Sequence, residues 1–363
     1  MMLKATRGLR LIVIAAAALA VAALAGLSSA GSAFADHVWR SEPPTLNGDW
    51  APFNRCPVDN PAMLAVTGET TEVFCIAESS PRGSMTVGNL TVAFKATNHQ
   101  YGVLQSREAL PSPTVSPPGG VLDAEPAYLS GGIQELICPG DGWLAWRICR
   151  HAARDPDSSD AVIWTLESAG TISNFLLFAG LAPGTPIATV PLRIHLQSRY
   201  LGDDCYIGTE AEPIVTQPAN LVPPAVEFLS FDTNGTPDQE NGMMTDIKSV
   251  DSQGASGFTV PAASGCGSDG SLDRAIDSKL GLPSTASTNN LTIDEGTNNL
   301  VGISNPESAI PNNGKDISEF WHSAVLVEPK AHGSDHARPQ RGHRLWSTGE
   351  AEEYVRHTFG PGH

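Results

Sequence analysis

Residues 232–241, DTNGTPDQEN, form the stretch most similar to a cation-binding loop. Calcium binds about six to eight hard oxygens on a tight turn. An EF-hand requires glycine at the sixth position and an acid at the twelfth, and this stretch provides neither. An Asn-Gly hairpin loop without metal is therefore the favoured interpretation, and calcium stays a candidate cofactor. The candidate ligands alternate around Gly235 and are Asp232, Asn234, Asp238 and Glu240.

Local signatures of catalysis are missing from the sequence. It contains no Gly-x-Ser-x-Gly elbow, no His-Glu-x-x-His helix and no phosphate-binding glycine loop. Asp203 and Asp204 are adjacent, so on a strand their carboxylates would point to opposite faces and could not act as an acid–base pair. The sequence favours a non-catalytic protein. The alternative is a secreted hydrolase, with carbohydrates as candidate substrates, that uses carboxylates which no local motif reveals.

Three tryptophans, Trp143, Trp146 and Trp164, could line a platform for sugar rings. Tryptophan is more often part of a buried core, where its large apolar surface stabilises the fold. We therefore expect these three residues in the core.

The first 35 residues have the order of a secretory signal peptide. Lys4, Arg7 and Arg10 precede the apolar run 11–27, and small residues follow, up to an expected cleavage site after Ala35. No second apolar run is long enough to span a bilayer. The sequence thus predicts a secreted protein, extracellular or associated with the cell surface.

All six cysteines follow the predicted leader, and an even number in an oxidising compartment predicts three disulfides. Neither close Cys-x-x-Cys spacing for zinc nor an odd thiol for catalysis is present. Two of the sequential pairs close short loops, which leaves Cys205 for Cys266. The expected bridges are Cys56–Cys75, Cys138–Cys149 and Cys205–Cys266.

The chain carries a formal net charge of −17. An acidic surface repels phosphate backbones, so nucleic acid is an improbable partner. We expect a monomer whose partners are unknown, with polymers of the cell envelope as candidates.

Period-two patterning and frequent Gly and Pro predict a mainly β fold, an antiparallel sandwich with two short helices. In SMTVGNLTVAF (84–94), the Gly88-Asn89 turn predicts a hairpin that pairs Val87 with Leu90 and Thr86 with Thr91. The other strand candidates are 161–167, 172–178, 191–201, 226–231 and 323–327.

Two helices are expected. In 271–280, Ser271 can cap the helix and Gly281 can end it, with Leu272, Ile276 and Leu280 as the apolar stripe. In 142–154, the stripe is Leu144, Ile148 and Ala152.

Two Pro-rich stretches, 110–120 and 217–225, divide the chain into β segments. The second and the third segment carry one helix each. The C-terminal part is polar, rich in Gly, Pro and His, and predicted to be a flexible tail. The predicted organisation is a leader at 1–35, β segments at 36–109, 121–216 and 226–327, and a tail at 328–363.

Three stretches carry a resemblance to known proteins: RCPVDNPAML (55–64), GSMTVGN (83–89) and LRIHLQSRYLGDDCYIG (192–208). With the Ala-rich leader, they resemble uncharacterised secreted proteins of high-GC Gram-positive bacteria, the actinobacteria. The resemblance extends over most of residues 50–303 and rests on cysteines, turns and strands, so it implies no activity for any residue. Three hypotheses follow: a secreted binding or structural protein of the envelope, a hydrolase, and a calcium-stabilised adhesin-like module.

Overall fold

The structure, a computed structural model, describes residues 50, 53–106, 110–154, 160–177, 179–303 and 312–325, without the side chains of residues 324 and 325. The predicted leader and the predicted tail lie outside these residues. Within them, every pair of named strands is antiparallel, and the strands form two sheets. The mainly β, antiparallel fold is confirmed.

The larger sheet has ten strands among the described residues. They are β1 Thr71–Ser80, β2 Arg82–Val87, β3 Leu90–Phe94, β4 Thr97–Ser106, β5 Thr114–Val115, β6 Leu122–Ala124, β12 Ala219–Asn220, β13 Ala225–Phe231, β14 Met244–Ser256 and β16 Asn290–Ile303. The central order of this sheet is β12-β14-β16-β1-β4-β5.

The smaller sheet has six strands in this part of the chain. They are β7 Ala127–Tyr128, β8 Ile163–Ser168, β9 Val190–Gln197, β10 Tyr206–Ile207, β11 Ile214–Thr216 and β15 Ala263–Ser264. Their order is β15-β10-β9-β8-β7, and β11 also pairs with β9.

The β2–β3 hairpin forms in the predicted register, with Val87 opposite Leu90 and Thr86 opposite Thr91. Gly88 has a φ of 58°, a backbone conformation that glycine adopts without a steric penalty. A Cβ atom there would lie 2.1 Å from the carbonyl oxygen of Leu280. Glycine is therefore required at position 88, both for the backbone conformation of the turn and for the close approach of the helix that ends at Leu280.

Strand β9 shows the alternation predicted from its sequence. Leu192, Ile194 and Leu196 are buried, and the residues between them are half-buried. The predicted strands at 161–167 and 226–231 correspond to β8 and β13.

The two sheets share one hydrophobic core. A second, smaller core covers the opposite face of the larger sheet. The shared core includes Ile76, Tyr101 and Leu300 of the larger sheet with Trp164, Leu192 and Ile194 of the smaller one. The second core includes Cys75 and Val301 with the aromatic residues Trp50, Phe53, Phe320 and Trp321.

Both predicted helices are present. Gly281 ends the later one in the left-handed conformation, and Leu272, Ile276 and Leu280 are buried as expected. Ser271 does not cap it, because its φ of −64° and ψ of −13° are helical whereas a capping residue needs an extended backbone. The described helices are α1 Pro61–Leu64, α2 Gly132–Ile137, α3 Trp143–Ala152, α4 Asp273–Leu280 and α5 Asn313–Phe320, followed by the π-helix Trp321–Val325.

The described part of the chain thus has more helices than the two predicted, and two strand predictions are wrong. The segment 172–178 forms only isolated bridges, and Asn174, with a φ of 51°, interrupts its extended backbone. Residues 323–325 belong to the π-helix. Short apolar runs fit a buried helix as well as a strand, so periodicity could not separate the two.

The first and third predicted segments contribute to the same sheet, because β1 pairs with β16. The second segment supplies most of the smaller sheet and, through β6, also an edge of the larger one.

The three disulfides have the predicted sequential connectivity: Cys56–Cys75, Cys138–Cys149 and Cys205–Cys266. Among the described residues, no helix is long and apolar enough to cross a membrane.

Candidate functional site

The three tryptophans considered as a sugar platform occupy different environments. Trp164 belongs to the shared core and is 2% exposed. Trp143 and Trp146 lie on the surface, 67% and 47% exposed. The expectation of a core position is therefore wrong for these two, because helix α3 buries smaller residues instead.

Helix α3 has two faces of different character. Its buried residues are Ala145, Ile148 and Ala152, which lie on one side of a helix that turns about 100° per residue. Leu144, predicted as part of the stripe, is only half-buried. The exposed residues on the helix and just after it include Trp143, Trp146, Arg147, Arg150, His151 and Arg154.

Covalent and tight contacts hold this helix in place. The Cys138–Cys149 disulfide ties it to the residue that follows α2. Gln134 of α2 also donates from Nε2 to the carbonyl oxygen of Ala152 at 3.0 Å. At Gly140, a Cβ atom would lie 2.9 Å from the backbone of Ala145, so only glycine permits this approach. The exposed face is thus carried by an element with little freedom to move.

The exposed aromatic residues pair with arginines one turn later. The guanidinium carbon of Arg147 lies 4.7 Å from the ring centroid of Trp143, and that of Arg150 lies 5.0 Å from the ring centroid of Trp146. Such cation–π contacts contribute about 0.5–1 kcal/mol each at exposed sites. Each guanidinium covers one face of its indole, so the two pairs form equivalent units three residues apart. We call them the Trp–Arg face.

The Trp–Arg face is basic within an acidic chain. The segment 142–154 contains three arginines and one histidine but no aspartate or glutamate. Of the residues described, no carboxylate forms an ion pair with Arg147, Arg150 or Arg154. Asp141, at the start of the helix, already pairs with Arg274 at 3.7 Å.

The predicted calcium loop lies in the connection between β13 and β14, which pair as an antiparallel hairpin. Asp232 Oδ1 accepts the backbone N–H groups of Asn234 and Thr236 at 2.8 and 2.9 Å. The N–H of Thr236 and then that of Asn234 hold the pKa of Asp232 below its usual value. Asp238 Oδ1 accepts two further N–H groups, one of them from Glu240. Within the described ranges, no three His, Cys, Asp or Glu side chains are grouped to hold a metal ion.

A polar cluster lies on the outer face of the smaller sheet. His195 Nδ1 is 2.9 Å from Glu167 Oε1, and its Nε2 is 2.9 Å from the carbonyl oxygen of Asp203. The ring of Tyr206 stacks on the imidazole at 4.5 Å. Burial acts to raise the pKa of Glu167, but contacts from His195 and Arg193 outweigh it and lower that pKa. The imidazole thus connects Glu167 of β8 to the turn at Asp203.

A third cluster joins Asp59, Ser318 and His322. Ser318 Oγ donates to Asp59 Oδ1 at 2.8 Å, and His322 Nε2 lies 2.9 Å from both oxygens of the same carboxylate. These contacts, His322 first, lower the pKa of Asp59. In a hydrolase triad the histidine accepts the serine proton. Here the serine donates to the carboxylate, so Ser318 is not activated as a nucleophile.

Comparison of the chain with protein-family models, with curated proteins and with solved structures finds no match. Function must therefore be inferred from the chain's own residues. Among the described residues, the Trp–Arg face combines two exposed aromatic side chains with adjacent positive charge, which makes it a candidate ligand surface. A sequence signal for it exists, since Trp143 and Trp146 are three residues apart and each has an arginine four residues later.

Proposed function

We propose that this chain is an exported, non-catalytic protein of the extracellular space or cell envelope, and that its Trp–Arg face binds a carbohydrate polymer. The observation that carries the proposal is the exposure of Trp143 and Trp146, 67% and 47%, on a helix held by a disulfide. Large aromatic side chains normally bury their surface in the core. Two of them kept in solvent on a rigid element are suited to contact another molecule.

Carbohydrate suits these rings for a chemical reason. The C–H groups on one side of a pyranose ring form an apolar surface, which can stack on the uncovered face of an indole. The indole N–H can donate a hydrogen bond to a hydroxyl group at the edge of the same contact. The adjacent arginine provides further donors in a fixed plane.

Export is supported by two features. The first is the leader, in which Lys4, Arg7 and Arg10 precede an apolar run and a cleavage motif at Ala35. The second is the set of three disulfides, which are typical of oxidising compartments. The resemblance to secreted actinobacterial proteins agrees with this location.

A binding role is favoured over hydrolysis by the contacts of the polar clusters. His195 has acceptors at both ring nitrogens, and Ser318 donates to Asp59 instead of to a base. These groups stabilise the fold, which explains their arrangement without a substrate.

The proposal is tested by co-sedimentation of the exported protein with insoluble cellulose, chitin and cross-linked polygalacturonate. The Trp143→Ala/Trp146→Ala variant should lose at least about ten-fold in affinity for the polymer that the wild type binds, because two stacking contacts disappear. Phe228→Ala is the matched control, since Phe228 is an aromatic residue that is 50% exposed on β13 of the larger sheet and not on α3.

Melting curves of both variants establish that they fold. Equal binding by wild type and Trp143→Ala/Trp146→Ala, or an equal loss in Phe228→Ala, would show that the Trp–Arg face is not the binding surface. A protein that releases sugar from any of these polymers would revive the hydrolase alternative.

A further inference from the structure

We infer that the polymer bound at the Trp–Arg face is a polyanion, a polysaccharide whose repeating units carry carboxylate or phosphate groups. This inference rests on the proposed function for the place of binding and adds the chemical class of the ligand. The observations that support a polyanion concern the arginines and not the tryptophans.

The Trp–Arg face carries positive charge that no described carboxylate neutralises. Arg147 and Arg150 have no carboxylate partner in the described part of the chain, and Arg154 extends the same exposed side. Most of the other described arginines are paired: for example, Arg82 contacts Glu295 at 2.8 Å, and Arg193 contacts Glu167 at 3.0 Å. Acidic groups outnumber basic ones by 39 to 22 in the whole chain, so unpaired arginines could readily have found carboxylates. Within the part of the chain that the structure describes, Arg147 and Arg150 are thus available to an anion from outside.

Each guanidinium is held over an indole ring before any ligand binds. A guanidinium that lies over an indole ring still has N–H groups that are not used by the ring, and two of them can form parallel hydrogen bonds with a carboxylate or a phosphate. The ring contact also restricts the arginine side chain before the ligand arrives, which reduces the entropy lost on binding. Arg147 on Trp143 and Arg150 on Trp146 are therefore prepared anion sites with an apolar surface beside each.

The pairing of a tryptophan with an arginine occurs twice on α3. The two Trp–Arg pairs are three residues apart, a translation of about 4.5 Å along the helix axis. Two equivalent sites side by side favour a ligand that presents the same chemistry on successive units. A charged polysaccharide has both the apolar ring face for the tryptophan and the repeated anion for the arginine.

Single-stranded nucleic acid also combines rings with repeated anions. The net charge of −17 repels any polyanion beyond a local contact, so charge alone does not separate the two ligands. The polysaccharide is favoured by the proposed export, which the leader and the three disulfides support, because an exported protein meets polymers outside the cell. Nucleic acid is therefore an outcome of the test and not the inference.

The experiment measures the affinity of the full exported protein for soluble polygalacturonate, for neutral dextran and for oligothymidylate in the same buffer. The wild type should bind polygalacturonate most tightly. Arg147→Gln/Arg150→Gln should weaken that binding about ten-fold, the loss expected when two exposed ion pairs disappear. The variant should weaken dextran binding by a smaller factor, because glutamine loses the charge but still donates hydrogen bonds to hydroxyl groups.

The matched control is Arg82→Gln/Lys95→Gln. It removes the same number of positive charges from the larger sheet, where Arg82 and Lys95 already have the carboxylate partners Glu295 and Glu125. Polygalacturonate affinity should stay within about two-fold of the wild type, since a positive charge that already has a carboxylate partner attracts a polyanion only weakly. An equal loss in both double variants would mean that net charge alone is responsible, and would overturn the inference.

The outcomes separate this inference from the proposed function. Equal binding of dextran and polygalacturonate that depends on Trp143 and Trp146 but not on the arginines would overturn the polyanion and leave the carbohydrate site in place. Tighter binding of oligothymidylate than of polygalacturonate would replace the polysaccharide with single-stranded nucleic acid. Binding of any polymer that survives the loss of both tryptophans would refute the site itself.

Discussion

Glu78 on β1 lies directly opposite His99 on β4, and burial drives the pKa values of these two side chains in opposite directions. Burial raises the pKa of Glu78 to about 8, with a contribution from Asp251, and lowers the pKa of His99 to about 4, with a contribution from Arg55. Among the described residues, neither Glu78 Oε1 nor His99 Nε2 has a hydrogen-bond partner. Between these two pKa values both side chains are uncharged, the form in which burial costs least.

Replacing Glu78 with glutamine should remove a loss of stability that the wild type shows between about pH 5 and 8. The folded state keeps the Glu78 proton up to about pH 8, whereas in the unfolded chain the group ionises near its ordinary pKa of 4.5. The folded state therefore binds more protons in this interval, and the free energy of unfolding of the wild type falls as pH rises through it. Urea unfolding at pH 8 should show Glu78→Gln more stable than the wild type by an amount on the order of 2–4 kcal/mol.

The control for this experiment is Glu227→Gln on the exposed part of β13. This variant should follow the wild type at every pH. Parallel stability curves for Glu78→Gln and the wild type between pH 5 and 8 would contradict the buried, protonated state of Glu78.

Replacing His99 with glutamine should protect the protein against acid. The pKa of His99 is about 4 in the folded state against an ordinary 6.5, so the unfolded chain binds the extra proton between these values. This contribution to stability is present above pH 6.5 and is lost as pH falls toward 4, opposite in sign to that of Glu78. His99→Gln should flatten the acid side of the stability curve, measured by urea unfolding from pH 4 to 6.5. A steeper decline in the variant would mean that His99 is protonated in the folded state.

The fold could be predicted where a signal is local. The Gly88-Asn89 turn fixed the register of β2 and β3, and alternation identified the buried side of β9. The pairing of β1 with β16 could not be predicted, because more than 200 residues separate Cys75 from its partner Val301. Side chains alternate with a period of two residues in every strand, so this alternation does not identify the partner of a strand.

The candidate site could be predicted only in part. The spacing of Trp143 and Trp146 was visible, but whether tryptophan lies inside or outside depends on what the rest of α3 buries. The small residues Ala145 and Ala152 let the helix pack closely through that side, which turns both indoles to solvent. The opposition of Glu78 and His99 depends on strand order and had no signal in the sequence.

Calcium should leave the melting temperature of the protein unchanged. The Oδ1 atoms of Asp232 and Asp238 each accept two backbone N–H groups and already stabilise the β13–β14 hairpin. Asp232→Ala should lower the melting temperature by a few degrees, whether calcium or a chelator is present, because two backbone N–H groups lose their acceptor. Differential scanning calorimetry checks both statements. A calcium-dependent increase in the wild type that Asp232→Ala abolishes would favour the calcium-stabilised adhesin-like module.

Removing the Cys138–Cys149 disulfide should weaken binding at the Trp–Arg face as well as stability. A loop of this kind contributes about 3 kcal/mol by restricting the unfolded chain, and the same bond fixes α3 against α2. In Cys138→Ala/Cys149→Ala, amide hydrogen exchange within α3 should accelerate more than in the sheets, and affinity for polygalacturonate should fall. Gln134→Ala, which removes only the hydrogen bond to Ala152, should act in the same direction with a smaller effect.

The Cys56–Cys75 disulfide provides the comparison that separates local from global effects. It closes a loop of similar length, 19 residues against 11, so its loss should cost about as much stability. Cys56 and Cys75 belong to the second core, on the face of the larger sheet opposite the shared core that receives α3. Cys56→Ala/Cys75→Ala should therefore melt earlier yet keep its polymer affinity at temperatures where it is folded. Equal losses of affinity in the two disulfide variants would mean that binding follows overall stability, and that the bridge at α3 does not hold the Trp–Arg face in position.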